Sequence, residues 1–222
     1  MKISKLVVIS IIVLVLELVI VLYLGAQLPA DAKLPVHWNI HNQIDGWGSK
    51  SSVILPFWLF NVALFLLMIF SGRLFPVFKQ NRGRYEEIIP PFTLVLVSFF
   101  ALIHIFIVLS GIYPQASQKV QFIFVLIGGL FIALGNLLPK LPRNFIAGIK
   151  TPWTFYSDEI WQRTSRVGGY CFVLTGLVML VLGLLNMKGA WTAWLFAGLL
   201  AFLIVVPILY SFLLFLKSKK EE

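Results

Sequence analysis

Charge and cysteine are scarce in this chain of 222 residues: 12% of its side chains are charged, nine are acidic, and Cys171 is the single cysteine. An average soluble domain carries about 25% charge. So low a share excludes an ordinary cytosolic enzyme, and twenty Phe with seven Trp exclude a disordered tail. One cysteine excludes an internal disulfide and a cysteine zinc cluster, and leaves the redox compartment open. There is no His-Glu-x-x-His, no Gly-x-Ser-x-Gly and no pair of intramembrane aspartates. Catalytic residues, a metal and a cofactor are therefore not expected. A clear internal repeat, which many transporters show, is also missing. Pro207 and the Gly128-Gly129 pair are only fragments of a broken helix, and the glycines read better as a place where helices approach closely.

What the chain has in abundance is apolar length, with 59% hydrophobic residues and a mean hydropathy of +0.93. Six uninterrupted stretches stand out, at residues 6–25, 53–71, 92–112, 120–138, 170–185 and 191–216. Each approaches or exceeds the length that crosses about 30 Å of hydrocarbon. They are apolar on all sides, unlike barrel strands, and backbone groups in lipid must be satisfied within the segment. The expected fold is an all-α polytopic membrane protein with six transmembrane helices. Pro56 is expected in a first helical turn, and Pro207 should kink or break the last span. The first run exceeds a signal-peptide core of roughly 7–15 residues, and Leu24-Gly25-Ala26 is a poor cleavage site, so it reads as a retained anchor.

Basic residues orient the bundle. With a cytoplasmic N-terminus, fourteen of the eighteen Lys and Arg fall inside, and only Lys33, Lys50, Lys119 and Lys188 fall outside. This follows the positive-inside rule and puts both termini in the cytoplasm. The inner cations are spread over four segments rather than one patch, so anionic membrane lipid is the expected partner and direct nucleic-acid binding is not.

Two polar loops are too specific for spacers. The outer one, 27–52, contains Pro35, His37, Trp38 and Asn39, then Asp45, Gly46, Trp47 and Lys50. Asp45-Gly46 signals a tight turn, and both tryptophans suit the headgroup level. His37, His41 and Asp45 could hold a metal if helical. Pro35 and Asn39 interrupt such a helix, so a hydrogen-bonded structural loop is the expectation. In the inner loop, 136–169, Ser157 is an expected N-cap followed by two acids. Ile160, Trp161, Thr164 and Val167 then share a face, as in a short amphipathic helix lying on the inner surface before the fifth span. Taken alone, this loop is either a membrane-hugging connector or a segment of fixed shape.

The inner segment resembles the signature of the SdpI family of bacterial membrane proteins. The matching positions are Asn136, Pro139, Lys140, Asn144, Gly148, Ile149, Thr151, Pro152, Trp153, Thr154, Trp161, Thr164, Arg166 and Gly169. Lys150 stands where that family usually has arginine, keeping the charge but not the bidentate fork. Ser165 stands where histidine is usual. The outer loop is similar to the uncharacterised N-terminal module often joined to that signature. The resemblance implies two regions, 1–90 with two spans and the outer loop and 91–222 with four spans, in one integral bundle. It implies immunity against a secreted membrane-active peptide toxin, and in some members retention of a cytoplasmic repressor at the membrane.

Finally, Glu17 is the one acid inside a span and His104 the one histidine. Ionisable groups in a bilayer point to function and need a partner. Counted from their inner helix ends, Glu17 lies roughly 16 Å and His104 roughly 18 Å deep, with Asn61 at a comparable level. Two readings follow: Glu17 and His104 face each other, or Glu17 is an uncharged carboxyl bonded to a serine or a carbonyl. The expected function is a non-enzymatic immunity protein; the alternative is a small peptide or ion transporter whose path includes this pair.

Overall fold

The computed structural model describes residues 4–39, 43–74, 82–113, 121–144, 147–185, 187 and 190–221. In chain order they form α1 (Lys5–Ala26), a hairpin of β1 (Lys33–Trp38) and β2 (Ile44–Ser49), α2 (Lys50–Leu74), α3 (Arg82–Ile112), α4 (Gln121–Leu137), a 3₁₀ turn (Leu138–Lys140), α5 (Asp158–Leu184) and α6 (Ala190–Glu221). Among the described residues, six helices are long and apolar enough to cross a membrane. The chain is a multi-pass membrane protein, as its apolar runs require.

The first helix shows how the bundle is sorted. Ser4 caps it, its hydroxyl accepting from the Leu6 amide at 3.3 Å. Ser10, Leu14, Glu17, Val21 and Gly25 form the buried stripe, while Val8, Ile12, Val15 and Val19 stay exposed. A spacing of three and four puts one face on the bundle and leaves the rest to lipid. Glu17 therefore sits on the face that meets α2 and α3.

Several boundaries differ from the apolar runs. Helix α3 starts at Arg82, ahead of Pro90 and Pro91. An interior proline costs about 3 kcal/mol, but packing holds these first turns: Tyr85 and Ile89 join Met68, and Ile88 joins Leu138 and Leu141. Pro56 falls in the second turn of α2 rather than the first, because Ser49 caps the helix earlier, its hydroxyl accepting from the Ser52 amide at 3.2 Å. Helix α6 continues through Pro207. The amphipathic segment after Ser157 is no separate surface helix, because it runs unbroken into the fifth span as α5. Gly168 and Gly169 within it are packing residues. A Cβ on Gly168 would lie 1.9 Å from Ile149 Cδ1, and one on Gly169 would lie 2.6 Å from the Gly135 carbonyl.

The hairpin was not expected. Its strands pair antiparallel, with irregular register on both sides of His37. Asp45-Gly46, expected as the turn, lies within β2. Beyond the strands, the Asn39 amide donates to the Gln43 carbonyl at 2.8 Å and the Gln43 amide to Asn39 Oδ1 at 3.0 Å. Gly46 instead permits close pairing, since a Cβ there would lie 2.7 Å from the His37 Cβ.

Helix α4 packs most extensively on α5, through glycines spaced by seven. A Cβ on Gly128 would lie 2.7 Å from the Gly176 carbonyl, one on Gly135 2.7 Å from the Gly169 carbonyl, and one on Gly183 2.8 Å from the Gln121 carbonyl. Small residues let backbones touch where lipid supplies no hydrophobic drive between helices. Gly129, by contrast, has nothing within 4 Å. Gly176→Val should therefore lower stability by about 1–3 kcal/mol, and Gly129→Val should change little. Thermal unfolding in detergent measures both; equal losses would contradict the proposed seam.

Candidate functional site

Three polar side chains from three helices meet inside the bundle. Glu17 Oε1 lies 2.7 Å from His104 Nδ1, and Glu17 Oε2 accepts from Asn61 Nδ2 at 2.8 Å. The same Nδ2 donates to the Val97 carbonyl at 3.1 Å. Glu17 is 1% exposed, and Asn61 and His104 are fully buried. Phe57 stacks on the imidazole at 4.7 Å between ring centroids, and Trp58 Nε1 donates to the Leu14 carbonyl at 3.0 Å. A carboxyl group that shares a hydrogen bond with an imidazole and accepts another from an amide avoids the cost of an isolated polar group in hydrocarbon. Of the two readings of Glu17, the facing pair is the one seen, with Asn61 as a third member. Asn61 Oδ1 and His104 Nε2 have no hydrogen-bond partner among the described residues.

Directly outward, the hairpin is seated on the same helices. Leu34 of β1 is fully buried with Val21, Leu28, Val53, Ile54, Ile107 and Val108. A Cβ on Gly111 would lie 2.2 Å from Leu34 Cδ2, so α3 needs that glycine to receive the leucine. Trp38 packs on Phe106 with ring centroids 5.9 Å apart. Lys50 ties the loop back to α1, its ammonium donating to the Leu28 carbonyl at 2.9 Å and its amide to the Ala32 carbonyl at 3.1 Å. His37 Nδ1 lies 2.5 Å from Asp45 Oδ1 on the exposed side. His41, the third group of the metal reading, lies outside the described residues. Pro35 is buried opposite Trp47, whereas Trp47 itself is 55% exposed.

At the other end of the bundle residues 141–144 and 147–157 form a tight platform. Trp161 is 1% exposed, and its indole N–H donates to the Leu141 carbonyl at 2.9 Å. Gly148 has φ +122°, and a Cβ there would lie 2.8 Å from the Trp161 ring, so conformation and space both require glycine. Asn144 turns the chain, its Nδ2 donating to the Pro142 carbonyl at 2.7 Å and its Oδ1 accepting from the Ala147 amide at 2.8 Å. Thr151 and Thr154 exchange bonds, each hydroxyl accepting from the other's amide at 3.1 and 2.9 Å. Thr151 also meets the Ser211 hydroxyl at 3.1 Å, and Trp153 packs on Phe212 at 4.9 Å. Ser157 caps α5 as expected, accepting from the Ile160 amide at 3.2 Å.

The structure thus brings Asn144, Gly148, Ile149, Thr151, Trp153, Thr154 and Trp161 into one knot against α5 and α6. Thr164 is buried there, and Pro139 abuts Gly169. Asn136, Lys140, Lys150, Pro152 and Arg166 are exposed. Asn136 bonds back to the Ile132 carbonyl at 2.7 Å. Residues missed in the sequence include Arg143, which donates to the Phe155 carbonyl at 2.7 Å and pairs with Asp158 at 3.0 Å. Phe57 and Trp58 were also missed. They lie four and three residues before Asn61, a helical spacing that places them on its face.

These features define a polytopic α-helical membrane protein with a hairpin at one end of the bundle and a folded polar platform at the other. Residues 140–211 match the SdpI/YfhL protein family, and residues 12–60 match a domain of unknown function, DUF1648. The two matches fall on the segments that hold the inner and the outer loop, the pairing that those loops resemble. Immunity protein SdpI of Bacillus subtilis (strain 168) is 25% identical over 182 residues, which is 79% of this chain and 80% of the relative. No solved structure matches the chain.

The paired geometry has a direct energetic consequence. Glu17→Gln and His104→Gln should be non-additive, with a coupling of about 1–2 kcal/mol. Unfolding of the two single variants and the double variant in detergent measures it. Additive losses would show that the two groups do not act as a pair.

Proposed function

We propose that this protein guards the membrane of its own cell against a secreted, membrane-active peptide, and does so by binding rather than by catalysis. The observation that carries this reading is the match, along most of both chains, to a protein named Immunity protein SdpI. In the proposed orientation both termini are cytoplasmic, the hairpin faces the medium and the platform faces the cytoplasm. Exposed Trp47 and Val36 would then meet an amphipathic peptide arriving at the headgroups. Capture there keeps the peptide's apolar face from the bilayer. On the inner side, the platform with exposed Lys150, Pro152 and Arg166 would dock a regulatory protein such as a repressor. The 1–90 and 91–222 regions act as one bundle in this reading, because Glu17 bonds His104 and Asn61 bonds the Val97 carbonyl across that boundary.

A second reading, a small peptide or ion transporter, draws on one observation: an ionisable pair buried within the bundle. Flux in proteoliposomes that Glu17→Gln abolishes would favour it over capture.

Expression in a peptide-sensitive cell tests the main reading. Membrane potential should survive peptide challenge only when the chain is present. Trp47→Ser should raise the protein level needed for protection roughly tenfold, as loss of an aromatic contact does at binding surfaces. Equal collapse of the potential with and without the chain would refute immunity.

A further inference from the structure

A cleft of about 490 Å³ opens where α3 begins and α4 ends. It is lined by Arg84, Glu87, Ile88, Pro91, Leu137, Pro139 and Lys140. Arg84 and Lys140 are exposed cations from different helices, with no ion pair among the described residues. Glu87 is the one acid in the lining. Its main-chain carbonyl also lacks both helical donors, since the residues three and four ahead are Pro90 and Pro91. The walls thus offer two positive donors and a carboxylate over an apolar floor.

Depth identifies the occupant. Helix α3 has 31 residues, roughly 46 Å at 1.5 Å each, against a hydrocarbon core of about 30 Å. Its first turns therefore extend into the headgroup layer, beside the end of α4. We propose that this cleft binds a glycerophospholipid headgroup whose phosphodiester is followed by a hydrogen-bond donor, as in phosphatidylglycerol or phosphatidylethanolamine. Arg84 and Lys140 take the phosphate, as cations between helices do for lipid headgroups. Glu87 accepts from the glycerol hydroxyl or the ammonium. Its carboxylate leaves the lining at net +1, enough for one phosphodiester. Phosphatidylcholine offers no donor and is disfavoured.

The test is native mass spectrometry of the full chain purified from equimolar lipid mixtures. Phosphatidylglycerol should be retained over phosphatidylcholine roughly tenfold, and Arg84→Gln with Lys140→Gln should bring the ratio near one. Lys217→Gln with Lys220→Gln, equal in charge but on α6, should leave it unchanged. Glu87→Gln keeps both cations on an exposed site and should abolish the preference for phosphatidylethanolamine over phosphatidylcholine. Arg84→Lys should retain phosphatidylglycerol and shows that the cleft remains folded. The assignment is overturned if both lysine-bearing pairs of variants lose selectivity equally, or if Glu87→Gln keeps the ethanolamine preference. It also fails if inorganic phosphate displaces the lipid, since the ligand would then be a soluble anion.

Discussion

A hydrogen-bonded carboxylate and imidazole buried in hydrocarbon hold this structure's first half together. Neither Glu17 nor His104 could remain there alone, and each supplies the other's partner. Because the pair joins α1 to α3, with Asn61 bringing in α2, it fixes the rotation of all three helices. Leu34, Leu28 and Val53 pack on the faces so presented, and the hairpin has a defined seat. Phe57 connects the two levels, packing against the apolar cluster above and the imidazole beside it. A change at the hairpin therefore has a continuous packed route to the buried pair.

The second half is organised differently. Where α1, α2 and α3 use polar side chains, α4 and α5 use backbone contact at Gly128, Gly135, Gly169 and Gly176. Trp161 anchors the platform by its indole N–H to Leu141, and Gly148 makes room for the ring. The family-like positions thus divide by physical role. Asn144, Gly148, Thr151, Thr154 and Trp161 build the shape, while Lys150, Pro152 and Arg166 remain on its surface.

Much of this was legible in the sequence. Six apolar runs dictate six helices because lipid leaves the backbone no other option. The comparable depth of Glu17, Asn61 and His104 follows from helical rise alone, and it allowed a Glu17–His104 pair without deciding between that pair and a Glu17 bonded to a serine or a carbonyl. The hairpin was not legible: β1 holds a proline and β2 two glycines, which read locally as turns. Only burial of Leu34 in the helical bundle makes a strand there worthwhile. The same applies to α3, whose Pro90 and Pro91 argue for a helix end until Ile88 and Ile89 are seen packed. Glycines seven apart in α4 and in α5 were a visible signal, but partnership between two helices is not a property of either segment.

Both proposed roles depend on which side each polar region faces. In a Cys171→Ser background, Asp31→Cys and Pro152→Cys place single thiols at exposed positions beside the hairpin and on the platform. A membrane-impermeant maleimide should label position 31 in intact cells and position 152 only after permeabilisation. Labelling of 152 from the medium, with 31 protected, would contradict the topology and the functions assigned to both ends.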